Sequence, residues 1–406
     1  MIQIIYYILF LACLIYGLYF GLTGLIAFFK KTKAPKKQAP KTKFGILIAA
    51  RNEAEVLPDL INSLKKQNYP DELYDILVIV NNCTDNTEEV ALKCGAKALN
   101  VDVPVKTKGE VLVWTKKKLK DSDYDAYIVF DADNIVHKNF LARMNDVYQA
   151  GYNVAQGFRD SKNINDNWIS SSYSIFYYIQ NFFFNKSRMI MNLSASINGT
   201  GFMVKKEFFE KHFKPKTLTE DVEFTALCTL INEKVYFAEE AVTYDEHTTN
   251  FADSWKQRKR WSKGMLQCLK LYKGKLVKNL FKSKNLSCLD LLGNFLAPIV
   301  QVLASVLTLV LIGFRIVGIE LYDIFSVMYA YSLVFFLVTY LWGVLINIYV
   351  VKYNKRGVKE ALSGILLFVA FIFSWIPINV AAMLDKNAKW DPIKHKKATG
   401  NESFNK

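Results

Sequence analysis

Two aspartates one residue apart are the first side chains whose types and spacing suggest chemistry. Asp131 and Asp133 follow the apolar run 127–130, which predicts a buried β-strand. Two carboxylates at positions i and i+2 of an extended segment point the same way, and they repel each other unless a cation lies between them. A divalent cation that bridges to phosphate oxygens meets this need. Because Asp-x-Asp occurs often by chance, the pair alone is weak support for a metal site.

Polar segments also follow two earlier apolar runs. Residues 44–50 lead into Arg51-Asn52-Glu53, and residues 75–80 lead into the Asn-rich segment 81–87. In an open parallel sheet, ligands bind beyond the carboxyl ends of the strands, so we expect these segments and the two aspartates to meet at one edge. Capping of a helix before Glu88 explains the Asn-rich segment equally well.

The elements that must position these segments are those of an α/β domain. Between about 44 and 250, short β-branched runs alternate with segments of helical periodicity, for example the spacing of Val56, Leu60 and Leu64. This alternation predicts a largely parallel sheet covered by helices. The small-residue segment 194–202 precedes another predicted strand and suits close approach of the backbone to a ligand.

Four long uncharged stretches surround this domain. They cover residues 1–29, 291–314, 324–351 and 361–384. Each is long enough to span a bilayer core, which requires about 20 residues. We therefore predict one N-terminal membrane helix and three C-terminal ones. Because three crossings would place the basic tail 385–406 outside, the last stretch, which contains Pro377, is also a candidate re-entrant segment.

Basic residues flank the apolar stretches, above all in the linker 30–43. Short basic flanks stay on the cytoplasmic side, so we expect a multi-pass protein of the cell membrane whose α/β domain is cytoplasmic. The formal net charge of +15 is then explained by membrane-flanking lysine rather than by nucleic-acid binding. Six cysteines without a C-x-x-C pair argue against a disulfide framework or a zinc site.

Several motifs follow one another along the chain. They are Ala49-Ala50-Arg51-Asn52-Glu53, Asn81 to Thr87, Asp131-Ala132-Asp133, Thr219-Glu220-Asp221 and Gln257-Arg258-Lys259-Arg260-Trp261. In this order they resemble the membrane-bound processive family 2 glycosyltransferases, which include cellulose, hyaluronan, chitin and poly-N-acetylglucosamine synthases. The resemblance covers roughly 44 to 275. It implies a GT-A (Rossmann-like) α/β fold inserted between transmembrane helices, a UDP-sugar donor and inversion at the anomeric carbon.

The resemblance also implies roles for individual residues. Asp133 and Asp131 would bind Mg²⁺ or Mn²⁺ on the diphosphate, and Asp221, supported by Glu220, would be the base that takes the acceptor proton. The donor would be bound by Ala50, Asn52, Glu53, Asn81, Asp85, Lys108, Asp131 and Arg260. The acceptor would be bound by Trp261, Gln257, Gly199 and Thr200. His247 is a further candidate for a metal or phosphate contact.

Some of these residues also have a structural explanation. Thr219-Glu220-Asp221 has the composition of an N-cap before a predicted helix 222–230, and a cap would also fix the carboxylate of Asp221. Asn81 stands where many relatives carry aspartate, and an amide still pairs with the edge of uracil.

The last motif places three polar or aromatic residues on one face of a predicted helix. Gln257, Arg260 and Trp261 lie at i, i+3 and i+4. An arginine on this face can pair with a diphosphate, and an indole gives an acceptor sugar a flat apolar platform. The lysine-rich stretch 251–288 suits an amphipathic helix at the membrane surface equally well.

These expectations divide the chain into six parts. They are a membrane helix 1–29, a basic linker 30–43, a GT-A domain 44–250, amphipathic interface helices 251–288, membrane helices 289–384 and a basic tail 385–406. The predicted function is processive, inverting synthesis of a β-linked polysaccharide, with a cellulose-like or mixed-linkage glucan favoured, coupled to membrane translocation. The alternative is non-processive transfer to a polyprenyl phosphate or another lipid carrier.

The expected partners follow from this function. They are a UDP-sugar, the growing polysaccharide and the lipid bilayer, without nucleic acid. The 22 residues after 384 are too few for a cyclic-nucleotide regulatory domain, so we expect any such control to come from an accessory or regulatory subunit.

Overall fold

The computed structural model describes residues 2–317 and 332–386. The elements in the first half of the chain are α1 (Ile2–Phe29), β1 (Phe44–Ala50), α2 (Leu57–Leu64), β2 (Tyr74–Val80), α3 (Thr87–Lys93), β3 (Lys97–Asn100), α4 (Lys108–Lys118), β4 (Ala126–Asp131), β5 (Ile135–Val136), α5 (Phe140–Gln149), β6 (Val154–Ser161) and α6 (Trp168–Ile179). A π-helix, Gln180–Lys186, continues α6 directly.

The second half of the chain carries the remaining sheet strands and the longest helices. They are α7 (Ser187–Ile190), β7 (Phe202–Lys205), α8 (Lys206–His212), α9 (Glu220–Leu230), β8 (Val235–Asp245), α10 (Phe251–Ser283), α11 (Leu286–Ile316), α12 (Ser332–Tyr353), α13 (Leu362–Phe373) and α14 (Trp375–Leu384).

One eight-stranded sheet forms the centre of the α/β domain, in the order β3-β2-β1-β4-β7-β6-β8-β5. The first four strands in this order are parallel, as predicted. The second half is mixed, because β7 runs antiparallel to both β4 and β6 and β5 runs antiparallel to β8. The expectation of a largely parallel sheet is therefore correct only for the first half. Apolar runs mark strands that are covered on both faces, but they do not encode strand direction.

Helices cover both faces of the sheet and create two apolar cores. One core contains side chains of α2 and α5 with alternate residues of β1, β2 and β4, and the predicted helix face of Val56, Leu60 and Leu64 is fully buried there. The other core contains side chains of α4, α8 and α9 with the opposite faces of the same strands. Since both faces are covered, the site must lie at an edge of the sheet.

Among the described residues, four helical stretches are long and apolar enough to cross a membrane. They are Ile4–Phe29, Leu286–Phe314, Phe336–Tyr353 and Leu362–Leu384. The first part of the predicted span 324–351 and most of the tail 385–406 lie outside the described residues. The stretch expected at 361–384 consists of two helices that meet at Ser374, and Pro377 lies in the first turn of α14, where its missing N–H leaves no helix bond unmade.

The boundary between the amphipathic region and the next membrane helix also differs from the expectation. A single helix, α10, covers 33 residues and ends at Ser283, and α11 begins at Leu286 rather than at 289. The turn between them is made by Lys284, which has a φ of 50°. Tight packing joins the membrane helices to the domain, since a Cβ on Gly364 of α13 would lie 2.2 Å from Ser171 Oγ of α6.

Candidate functional site

A cavity of about 670 Å³ opens at the carboxyl ends of β1 and β4 and continues between the apolar helices. Twelve predicted site residues line it, namely Ala50, Glu53, Asn81, Lys108, Asp131, Asp133, Gly199, Glu220, Asp221, Gln257, Arg260 and Trp261. Its volume is within the ordinary range of ligand pockets, about 300–1,000 Å³. The structure thus brings together segments that are up to two hundred residues apart in the sequence.

The turn after β4 holds the paired aspartates. The strand ends at Asp131, and Asp133 lies in the following turn, so the argument from two carboxylates on an extended segment does not apply. The backbone N–H of Asp131 donates to Thr200 Oγ1 (3.0 Å) and Asn134 Oδ1 (3.2 Å). Thr200 is fully buried behind this turn and does not line the cavity, so its contact is with the aspartate turn.

Lys108 neutralises part of the negative charge at this turn. Its Nζ donates to Asp131 Oδ1 and to the carbonyl of Gly199 (2.7 Å). Burial by itself lowers the pKa of Lys108, but the carboxylates of Asp131 and Glu220 outweigh this effect and raise it above its ordinary value. The ammonium therefore ties the aspartate turn to the loop that carries Gly199.

The donor set suits a hard divalent cation that also contacts a phosphate. No cluster of three or more His, Cys, Asp or Glu side chains with metal-binding geometry occurs in the described part of the chain. Asp131 and Asp133 supply two carboxylates, and Mg²⁺ in phosphate-transfer sites is usually held by one or two carboxylates together with the phosphates of the substrate. The residues present therefore fit Mg²⁺ or Mn²⁺ bound jointly with a diphosphate.

Two adjacent carboxylates face the cavity at the start of α9. Burial and then the charge of Asp221 raise the pKa of Glu220 to about 7. Burial also raises the pKa of Asp221. Thr219 occupies the N-cap position of α9, as expected for this segment, but its side chain makes no cap bond, and the helix begins at Glu220 rather than at 222.

Gly199 lies close to the carboxylate of Asp221. A Cβ at this position would lie 3.3 Å from Asp221 Oδ2, and the φ of Gly199 is +85°, which disfavours other residues. A side chain at position 199 would therefore crowd the carboxylate of Asp221.

The other two strand ends shape the opposite wall. Ala50, Glu53 and Asn81 line the cavity, and Asn81 Oδ1 is buried without a hydrogen-bond partner among the described residues. Asn52 and Asp85 do not line the cavity. Asn52 Oδ1 accepts from the N–H of Thr84 (2.7 Å), and Asp85 accepts from the N–H groups of Ala54 (3.2 Å) and Thr87 (3.1 Å).

These bonds also bear on the two explanations of the Asn-rich segment. The N-cap residue of α3, Asn86, makes no side-chain cap bond, but Asp85 Oδ1 accepts from the N–H of Thr87, the first residue of the helix. The same side chain joins the loops after β1 and β2, which positions Glu53 and Asn81.

The predicted face of α10 closes the cavity. The indole of Trp261 stacks on that of Trp375 at 6.3 Å and meets the ring of Tyr177 edge-on at 6.4 Å. Arg258, three positions before Trp261, is fully buried. It donates to the carbonyl of Phe371 (3.1 Å) and to Ser374 Oγ (2.7 Å). Arg258 therefore anchors α10 to the break between α13 and α14.

A family model supports an assignment for this arrangement. The model described as "Glycosyltransferase like family 2" matches residues 40–264, more than half of the chain. The chain belongs to glycosyltransferase family 2. Family 2 glycosyltransferases use nucleotide sugars. The predicted membership of family 2 and the GT-A-like α/β fold are confirmed, and the processive type stays a prediction.

Curated relatives of this family 2 enzyme are distant. "Probable glycosyltransferase YdaM" of Bacillus subtilis (strain 168) is 23% identical over 284 residues, which cover 62% of this chain and 63% of the relative. "Beta-monoglucosyldiacylglycerol synthase" of Nostoc sp. (strain PCC 7120 / SAG 25.82 / UTEX 2576) is 24% identical over 257 residues, covering 58% of this chain and 51% of the relative. The chain thus spans about half to two thirds of the length of these relatives.

A solved structure supports the fold over nearly the whole chain. The mannosyltransferase PcManGT from Pyrobaculum calidifontis, in complex with GDP-Man and Mn²⁺, has a TM-score of 0.59 and 13% identity. The match covers 92% of this chain and 99% of that chain. At this identity the likeness shows the fold alone, a GT-A-like α/β fold with flanking apolar helices.

One ion pair at the site was not predicted. Arg159 of β6 binds Asp245 at the end of β8, donates to the carbonyl of Asn198 (2.5 Å) and lies 4.0 Å from the ring of Tyr177. Burial raises the pKa of Asp245 to about 6, although the charge of Arg159 opposes this shift. No local sequence pattern indicates such a pair, because its members are 86 residues apart.

His247 lines the cavity of this transferase as a neutral group. Burial, followed by the charge of Arg159, lowers the pKa of His247 to about 3. The imidazole lies between the rings of Tyr173 (5.6 Å) and Tyr177 (5.4 Å), and its Nε2 has no hydrogen-bond partner among the described residues. It is therefore suited to a hydrogen bond with a polar ligand group.

The far end of the cavity lies among the apolar helices. It is lined by Phe20 of α1, by Leu291, Asn294, Pro298 and Gln301 of α11, and by Asn379 of α14. Asn379 accepts from Ser262 Oγ of α10 (2.6 Å) and donates to Gln301 Oε1 (2.7 Å). Polar groups thus continue along a wall that is otherwise apolar.

Proposed function

We propose that this family 2 enzyme is an inverting polysaccharide synthase that transfers glucose from UDP-glucose to a growing β-linked glucan and passes the glucan between its membrane helices. The observation that carries the proposal is the continuity of one cavity. The same space is lined by Asp131 and Asp221 at the sheet edge and by Gln301 and Asn379 between the apolar helices. A polymer that grows at the carboxylates has a route away from them.

The leaving diphosphate is stabilised at the aspartate turn. Asp131 and Asp133 would hold Mg²⁺ or Mn²⁺, and the bound cation supplies Lewis-acid charge to the diphosphate. Lys108 and Arg260 line the same space and add positive charge where negative charge accumulates. The unpartnered Oδ1 of Asn81 supports uridine as the base, because it can accept a hydrogen bond from the N–H of uracil.

Asp221 is the proposed general base. It takes the proton from the acceptor hydroxyl as the new glycosidic bond forms, and the electron pair of the broken sugar–phosphate bond leaves with UDP. It lines the same cavity as Lys108 and Asp131, and the glycine at position 199 leaves its carboxylate uncrowded, which supports this role. Glu220 supports Asp221 as a neighbouring carboxyl group.

The stacked indoles support an acceptor that is itself a sugar. Trp261 and Trp375 present flat apolar faces to the cavity, and such faces pack against the C–H face of a pyranose ring. A cellulose-like or mixed-linkage glucan is our proposal for the product. The word "monoglucosyl" in the names of three curated relatives supports glucose as the transferred sugar.

A second candidate is a single transfer to a membrane lipid. The names of the same relatives refer to a diacylglycerol acceptor. The apolar side chains of Phe20, Leu291 and Phe295 at the far end of the cavity suit an acyl or polyprenyl chain as well as they suit a glycan.

The product distinguishes the two candidates. The full-length protein is reconstituted in nanodiscs with Mg²⁺ or Mn²⁺ and supplied separately with labelled UDP-glucose, UDP-N-acetylglucosamine or UDP-glucuronate, with and without diacylglycerol or polyprenyl phosphate. We expect long glycan from UDP-glucose without added lipid, degraded by linkage-specific β-glucanases. Products that carry one sugar on a lipid would overturn the synthase proposal and support the second candidate.

We also propose that the α/β domain lies on the cytoplasmic side of the cell membrane. The lysines of the linker 30–43 support this side. A fusion reporter after Asp385 and labelling of an introduced cysteine at Lys36 in intact cells test it, and labelling of Lys36→Cys by an impermeant reagent would contradict it.

A further inference from the structure

A second cavity, of about 480 Å³, lies where the domain meets the ends of two membrane helices. We name it the interface cavity. Its walls come from the end of α1 and the following linker, from the π-helix, from β8 and from the last turns of α12. Phe28 of α1, Phe182 of the π-helix, and Tyr349 and Tyr353 of α12 line it. It is separate from the cavity that holds the aspartates, although the π-helix and β8 contribute side chains to both.

The floor of the interface cavity is aromatic. The ring of Phe28 lies 5.1 Å from Phe182 and 4.8 Å from Tyr349, and Phe182 lies 4.8 Å from Tyr353. Aromatic side chains with polar tips are typical of the level at which the acyl chains of a bilayer meet its headgroups. The side chain of Phe28 remains 43% exposed, so this floor is accessible from the membrane side.

The charges around the cavity leave two cations without a carboxylate. Glu239 accepts from Lys186 (3.2 Å), from Tyr353 (2.8 Å) and from Thr32 (3.0 Å). Asp146 and Glu240 both face Arg143, at 2.9 and 3.6 Å. Each carboxylate of the wall is therefore matched within the domain.

Lys30 and Lys31 are the two remaining cations. Both line the cavity and are exposed, and neither makes an ion pair or a hydrogen bond with another described residue. They directly follow α1, which ends at Phe29, so their ammonium groups lie at the height where that helix leaves the membrane.

We propose that the interface cavity binds an anionic phospholipid of the leaflet next to the α/β domain. Lys30 and Lys31 contact the phosphodiester of the headgroup, and the first methylenes of the acyl chains lie along Phe28 and Tyr349. Basic pockets between membrane helices bind anionic headgroups in this way. The inference rests on the proposed placement of α1 and α12 in the membrane.

The bound lipid also bears on the active site. Phe182 and Lys186 of the π-helix line the interface cavity, whereas Gln180, Phe183 and Phe184 of the same short helix line the cavity of the aspartates. A lipid in the interface cavity therefore restrains the π-helix, which also forms part of the wall of the cavity of the aspartates. We expect the lipid to raise both turnover and stability.

Native mass spectrometry of the full-length protein released from nanodiscs tests the proposal. The nanodiscs contain phosphatidylcholine alone or with phosphatidylglycerol, and the variants are K30Q/K31Q and K36Q/K37Q. The second pair removes the same charge from the same exposed linker but lies outside the interface cavity. We expect wild type and K36Q/K37Q to retain one phosphatidylglycerol, and K30Q/K31Q to bind it about 30-fold more weakly, about fivefold for each lysine.

Each other outcome is informative. Equal weakening in the two double variants would show only general surface attraction and would overturn the proposal. Soluble glycerol phosphate that stabilises the wild type as much as the lipid does would assign the cavity to a free anion instead. Binding of UDP with Mn²⁺ by K30Q/K31Q verifies that this variant is folded. Failure of the wild type to enter nanodiscs would refute the membrane placement on which the lipid site rests, and would overturn the proposal with it.

Discussion

Arg188 and Asp290 form a buried two-point ion pair between the domain and the membrane helices. Arg188 Nε lies 2.9 Å from Asp290 Oδ2, and Arg188 Nη2 lies 2.8 Å from Asp290 Oδ1. The two side chains are 1% and 3% exposed. Tyr19 of α1 also donates to Asp290 (3.1 Å), so one carboxylate joins α7, α11 and α1.

Removal of one partner of this pair is expected to destabilise the protein strongly. In Arg188→Ala, Asp290 stays buried without its counter-ion, which costs about 3–5 kcal/mol. Lys93→Ala is the matched control, because its pair with Glu89 is exposed on both sides and contributes less than about 1 kcal/mol. Thermal unfolding in nanodiscs measures both variants. If Arg188→Ala and Lys93→Ala had equal unfolding midpoints, the buried ion pair would not be what holds α7, α11 and α1 together.

Gly264 of α10 packs against Thr219, the residue that precedes Glu220 at the start of α9. A Cβ on Gly264 would lie 2.2 Å from Thr219 Oγ1, next to Glu220. Gly264→Ala must displace this segment, and because a shift of about 1 Å costs about 100-fold in rate, we expect turnover to fall by about that factor.

Gly274 of the same helix provides the control for this prediction. Nothing lies within 4 Å of a Cβ at that position, so Gly274→Ala is expected to keep full turnover and to stabilise the helix by about 1 kcal/mol. UDP release and thermal unfolding are measured for both variants. Wild-type turnover in Gly264→Ala would mean that the Thr219 segment need not be held in place.

The proposed role of Asp221 as base predicts a separation of binding from chemistry. Asp221→Asn keeps the shape of the side chain but cannot accept the acceptor proton, so we expect turnover to fall by about 10²–10⁴-fold. UDP binding, measured by calorimetry with Mn²⁺, should be unchanged, because the diphosphate contacts lie at the aspartate turn. Substantial turnover in this variant would remove Asp221 as the base.

Glu220 predicts a pH dependence of stability. Its pKa is about 7 in the folded protein and 4.5 when unperturbed, so the folded state binds more protons between these values. Stability therefore decreases as the pH rises from about 4.5 to 7, and the cost of the buried charge is fully present above pH 7.

Glu220→Gln removes this cost. The variant should unfold at a higher temperature than the wild type at pH 8, and the difference should vanish near pH 4, below both pKa values. The rise in the pKa of Glu220 from 4.5 to about 7 corresponds to about 3 kcal/mol, so Glu220→Gln should stabilise the folded protein by about this amount at pH 8. A difference that does not change with pH would show that the glutamate is not titrating in the folded state.

Local patterns explain why part of the site was predictable. The buried runs of β1, β2 and β4 are recognisable from sequence, and the polar residues at their ends, such as Asp131 and Asn81, meet as the rule for parallel sheets requires. The face of Gln257 and Trp261 follows equally from helical spacing.

Other parts depend on contacts that no local pattern encodes. The antiparallel direction of β7 and the pairing of Arg159 with Asp245 arise from the tertiary fold. Asn52 and Asp85 belong to the recognised motifs, but their hydrogen bonds fix two loops to each other instead of facing the cavity. The motifs therefore predicted where the site lies, but they did not distinguish the residues that line the cavity from those that position its loops.

If the product is the proposed glucan, the stacked indoles of Trp261 and Trp375 affect its length. Loss of a ring contact costs about 0.5–1.5 kcal/mol beyond the lost area. In Trp261→Ala the growing glucan should dissociate about two- to tenfold faster relative to elongation, so the mean product length falls by that factor. Trp255→Ala is the control, because this indole lies on the same helix, packs against Phe251 at 6.3 Å and does not line the cavity.

Chromatography of labelled product measures the length, and UDP release measures turnover in the same reactions. We expect Trp255→Ala to match the wild type in both, and Trp261→Ala to release UDP while it makes shorter chains. Chains of unchanged length in Trp261→Ala would show that the indole does not hold the acceptor. If wild type and variant both add a single sugar, the platform serves a lipid-linked acceptor, because a product that never elongates has no chain for the indole to retain.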